Sequence, residues 1–120
     1  SPRIARDFTR TTLMEWKLCQ VLEDTTIVVS ELVTNALRHG LQHSLNSVEA
    51  LPIQLVLFRH DRRLLAVVTD PGDEVPSRAD TPHFAESGHG LHVVEAISHT
   101  WGWARLATGG KAVWAAFETC

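Results

Sequence analysis

The chain has 120 residues, enough for one domain built on a single hydrophobic core without covalent staples. Apolar residues make up 44% and charged residues 21%, an ordinary balance for a globular protein, and the net charge is -3 with no basic run, which argues against a nucleic-acid partner. Apolar runs last only a few residues, which excludes a transmembrane helix, and SPRIARDF shows no signal-peptide core, although trimming of a longer chain would hide one.

Residues 2 to about 18 read as a first helix, with Pro2 suited to the first turn and Ile4, Phe8, Leu13 and Trp16 in loose helical spacing. Val21–Asp24 reads as a break, with Asp24 or Thr25 as N-cap of a second helix running to His39. Leu41–Pro52 is polar and reads as a loop. PIQLVLFRH and LLAVVTD read as two strands of an antiparallel hairpin turning at His60–Arg63. The continuous apolar run of the second strand predicts cover on both faces.

Asp70–Ser87 holds Pro71, Gly72, Pro76 and Pro82 and reads as a long loop, a length that is functional or disordered in a compact domain. Gly90–Ser98 resumes helical spacing, with Leu91, Val94 and Ile97 on one face. WGWARLA and KAVWAAFE flank Thr108-Gly109-Gly110, a hairpin turn, and the tryptophans read as packing residues of the core. The expected architecture is an α/β two-layer sandwich, its mixed, mostly antiparallel sheet carrying the helices on one face.

Chemistry concentrates in three segments. In VVSELVTNALRHG (28–40), Glu31, Asn35 and His39 lie four residues apart and share one helical stripe, while Leu32, Val33, Ala36 and Leu37 face a core and Gly40 suits a C-cap. Such a stripe can hold a metal ion and a phosphate, or can be a solvated face. Asp70 ends a buried strand and precedes Pro71-Gly72. A carboxylate there can accept a hydrogen bond from an exocyclic amine, and Gly72 lets the backbone approach a flat ring; alone, the segment reads as a turn. In ESGHGLHVV, Gly88 and Gly90 precede the predicted helix, where free N–H groups and the positive dipole end suit phosphates; alone, this too is a loop signal. His39 and His43 have the spacing of a helical metal pair, but Gly40 interrupts them and no third ligand follows. Cys19 and Cys120 match no zinc or redox spacing. Cys19 reads as a buried thiol and Cys120 as an exposed one, and a reducing cytoplasm is the simplest compartment.

Taken together and in this order, ELVTNALRHG (31–40), DPG (70–72) and ESGHGL (86–91) resemble the N-box and the two glycine boxes of the GHKL ATPase superfamily. The ending WGW…GGKAVW (101–114) also looks like that of the RsbW-like anti-sigma-factor serine kinases, and the resemblance runs from about Thr25 to the end of the chain. It implies a Bergerat fold with ATP and Mg²⁺ between the N-box helix, the sheet and a lid over Glu74–Ser87. Asn35 would be the metal ligand, Glu31 the catalytic base, Asp70 the acceptor of the adenine amine with Gly72 beside the base. Gly88, His89, Gly90 and Leu91 would close over the phosphates through their N–H groups. His39 would reach a phosphate or simply cap the helix end, and Arg78 and His83 in the lid would approach the γ-phosphate or stay solvated.

Two positions depart from the pattern: Glu74 stands where a second glycine is frequent, and Ala112 where many relatives have a hydroxyl that helps hold adenine. The implied function is a protein serine/threonine kinase that phosphorylates an anti-sigma antagonist and sequesters a sigma factor. The alternatives are a nucleotide-gated protein-binding module without transfer, or the catalytic part of a larger histidine kinase. The implied partners are proteins, with no nucleic acid and no membrane, and relatives often form homodimers.

Overall fold

The computed structural model describes residues 1–40, 53–72 and 85–119, the side chains of 39–40 and 85–90 excepted. Helix α1 spans Pro2–Glu15; Ser1 caps it, its hydroxyl accepting from the Ile4 N–H, and Pro2 occupies the first turn, where a missing N–H costs nothing. It stops three residues short of the predicted end because Lys17 turns into the left-handed region at φ 60°. One face (Ala5, Thr9, Leu13) is buried, and the Thr9 hydroxyl donates to the Ala5 carbonyl.

A 3-10 turn, Cys19–Val21, leads directly into α2, Leu22–Asn35, whose N-cap is Val21 and has no side-chain bond. The expected cap at Asp24 or Thr25 is therefore displaced. Glu23 and Asp24 sit in the first turn, where their charge suits the dipole. Cys19 lies on the turn and is exposed, contrary to the buried thiol expected. After Asn35 the helix widens into a π-turn, Ala36–Gly40, so Gly40 ends this turn rather than capping an α-helix. Of the predicted core face, Leu32, Val33 and Ala36 are buried and Leu37 is half-buried against the core, and Val28 and Val29 are buried as well.

Strands β1 (Gln54–His60), β2 (Arg63–Asp70), β3 (Thr100–Arg105) and β4 (Lys111–Glu118) form one sheet in the order β1-β2-β4-β3. Every described pairing is antiparallel, and both hairpins fall where expected. Asp61 takes the left-handed conformation in the first hairpin turn, and Gly109 and Gly110 do so in the second. Helix α3, Ala85–Ile97, packs on α2 and on β3, so α1, α2 and α3 form one layer over the sheet. This is the α+β two-layer sandwich expected.

The core lies between the layers, with Leu64, Ala66, Val68, Val113, Ala115 and Phe117 facing Leu13, Val28, Val29 and Val94. The other face of β2 is half-buried, no second layer covers it among the described residues, and Val56 and Phe58 of β1 are exposed on that side. The tryptophans are half-buried rather than core. Trp16, Trp101 and Trp103 edge the core, whereas Trp114 lies across Gly102, where a Cβ would come within 2.5 Å of its ring.

Candidate functional site

β2 and β4 end together, with Asp70 opposite Lys111 in the last rung of their ladder. Alternation along each strand turns both side chains toward the helical layer, the phase of Val68 and Val113. The pair is buried: the side chains are 1% and 4% exposed, and the ammonium of Lys111 donates to Asp70 Oδ1 at 3.0 Å. The Gly72 N–H donates to the same oxygen at 2.7 Å, folding the chain after the strand into an Asx-type turn that buries Gly72. Two donors thus meet one carboxylate oxygen in a dry setting, where such bonds are strong.

Gly110 completes this end. Its φ of 81° suits glycine, and a Cβ there would collide with the Asp70 carbonyl oxygen and lie 3.0 Å from Pro71 Cα. The β3–β4 turn therefore rests directly on the backbone of Asp70–Pro71. Ala112 points the other way: it pairs with Thr69 and lies on the sheet's outer face, so its lack of a hydroxyl does not bear on the Asp70 side. Lys111 is the β4 residue that faces the carboxylate. Its place in the sequence held a signal: with Val113, Ala115 and Phe117 it keeps the core-facing phase of KAVWAAF.

On the helical side, Glu31 and Asn35 share a face of α2 and are both half-buried. Glu31 borders a polar cleft between α1 and α2 with Arg6, Arg10 and Ser30, and Arg6 donates to the Ser30 hydroxyl at 3.0 Å. Asn35 is the last α-helical residue before the π-turn, which packs against β2. His39 lies within that turn, where the neighbour above a residue is five positions on rather than four. The stripe is regular from Glu31 to Asn35 and changes pitch before His39.

Gly88, His89, Gly90 and Leu91 all lie inside α3, which corrects the expectation that the glycines precede the helix. The N–H groups of Gly90 and Leu91 fall beyond the first turn and serve the helical ladder, so free donors belong to the turn that begins at Ala85. The Leu91 side chain is buried. His43, Glu74, Pro76, Arg78, Pro82, His83 and Cys120 lie outside the described residues, as do the 41–52 loop and most of the expected lid. Among the described residues no three His, Cys, Asp or Glu side chains come together as a metal cage. No helix among them is long and apolar enough to cross a membrane.

Among the described residues, three α-helices lie over a four-stranded antiparallel sheet, with a buried carboxylate at one strand end and Glu31 and Asn35 on one face of a covering helix. The model of the histidine kinase-like ATPase domain matches residues 3–117. The chain belongs to that family. No curated protein matches it.

Proposed function

We propose that this chain binds Mg·ATP and transfers the γ-phosphoryl group to a serine or threonine of a small partner protein, as a kinase of the anti-sigma-factor type. Membership of the ATPase family and the buried Asp70 support nucleotide binding. The observation that carries the reading is Asp70 itself: an acceptor-only side chain buried at a strand end, whose two donors among the described residues both meet Oδ1, so that Oδ2 is the oxygen an amine would engage. The donor set also fits the metal. Mg²⁺ prefers few protein ligands together with phosphates and water, and the amide oxygen of a half-buried Asn35 is one such ligand.

In this reading ATP supplies the phosphoryl donor and Mg²⁺ neutralises its charge. Asp70 orients the purine, and Gly72 gives the ring close approach to the backbone. Glu31 would accept the proton of the attacking hydroxyl, and Asn35, one helical turn on, would hold the metal. The first turn of α3 offers N–H groups to the phosphates. Positioning and electrostatics, rather than a covalent intermediate, do the work. The physiological consequence is control of a sigma factor through phosphorylation of its antagonist, in a single domain acting in the cytoplasm.

The test has two stages. Calorimetric titration with Mg·ATP is expected to show binding that Asn35→Ala and Asp70→Asn each weaken at least tenfold; binding indifferent to both contradicts the site. Transfer of labelled γ-phosphate to candidate antagonists is then expected for the wild type and not for Glu31→Ala, which still binds ATP. A wild type that binds ATP but labels no candidate favours a nucleotide-gated binding module instead.

A further inference from the structure

We infer that Lys111 is the positioning residue for Asp70, fixing which carboxylate oxygen meets the base and thereby setting the site's preference for a 6-amino purine. The inference rests on the proposed reading of Asp70 as the adenine acceptor. Lysine is rarely this buried without a partner, and here its ammonium is held by a single described acceptor, Asp70 Oδ1.

The geometry assigns the two carboxylate oxygens different tasks. Oδ1 receives Lys111 Nζ at 3.0 Å and the Gly72 N–H at 2.7 Å, so its lone pairs are committed. Oδ2 receives neither. Two donors from different directions, one across the ladder and one from the following turn, restrict rotation of the carboxylate about its last bond. Asp70 and Lys111 are Cα partners, so strand pairing sets where the ammonium starts. Gly110, which has no side chain to push the turn away, lets Lys111 begin β4 this close to Asp70.

A neutral side chain at 111 would leave Asp70 tied by one donor and free to rotate. Because Lys111 acts through Asp70, its loss affects recognition of the exocyclic amine and not binding of the phosphates or metal. The oxygen at the same ring position of inosine triphosphate cannot donate to Oδ2. The base therefore separates a positioning role from a merely structural one.

The experiment measures Mg·ATP and Mg·inosine triphosphate binding by calorimetry on the full chain, for wild type, Lys111→Met, Asp70→Asn and the Asp70→Asn/Lys111→Met double variant, with thermal melting to establish folding. Wild type is expected to bind ATP at least tenfold more tightly than inosine triphosphate. Lys111→Met is expected to weaken ATP about tenfold and inosine triphosphate less than twofold, and to add less than twofold in the Asp70→Asn background. Should Lys111→Met fail to fold, Lys111→Gln, which keeps an N–H donor without the charge, and the charge-free double variant carry the comparison. Equal losses for both nucleotides, unchanged or tighter ATP binding, or full additivity with Asp70→Asn overturn the inference. A wild type that binds neither nucleotide overturns the underlying reading of the site instead, and the inference with it.

Discussion

The two ends of the candidate site are built by different means. At the strand end, Asp70, Lys111, Gly72 and Gly110 are buried and tied by a ladder rung, two hydrogen bonds to one oxygen and a turn resting on the backbone. At the helix end, Glu31 and Asn35 are half-buried on a helix that loosens into a π-turn one residue later. In the proposed reading the strand end holds a fixed carboxylate for a flat base, and the helix end, where the pitch changes to that of a π-turn, holds the metal and phosphates.

This contrast predicts that substitutions at the strand end cost stability as well as binding, whereas those at the helix end cost function alone. Lys111→Met is expected to destabilise most, by about 3–5 kcal/mol in denaturant titration, because it leaves a buried carboxylate without its partner. Removing both charges, in Asp70→Asn/Lys111→Met, should recover part of that loss, which a double-mutant cycle reads directly. Gly110→Ala follows, at about 2–4 kcal/mol, because it adds left-handed strain and a collision with the Asp70 carbonyl.

Gly109→Ala in the same turn is the control. Its φ of 100° strains alanine, but a Cβ there meets nothing within 4 Å, so a loss of only about 1 kcal/mol is expected. Thr25→Val on α2 should act oppositely, raising stability by about 1 kcal/mol in a thermal melt. The Thr25 hydroxyl is fully buried with no hydrogen-bond partner among the described residues, and valine replaces it at nearly the same shape. Asn35→Ala should change stability by less than about 0.5 kcal/mol while weakening Mg·ATP binding.

The helix end was largely legible in the sequence. ELVTN has the four-residue spacing of a helical stripe, and Val33 and Ala36 mark the buried face opposite it. Both hairpins were legible too, since His60–Arg63 and Thr108-Gly109-Gly110 carry their own turn chemistry. The Asp70–Lys111 pair was not, because its partners are 41 residues apart and meet only through the register of β2 with β4. The same register turns Ala112 outward and sets Lys111 against Asp70. The start of α2 escaped because Val21 offers no side-chain cap to read, and the start of α3 because glycines at 88 and 90 resemble a loop until the turn before them is helical.

Mg·ATP titration of wild type beside Asn35→Ala and Asp70→Asn, each shown by melting to be folded, tests the central claim most directly. Saturable, Mg²⁺-dependent binding to wild type and at least tenfold weaker binding to either variant are expected. Equal affinity across all three proteins would contradict it.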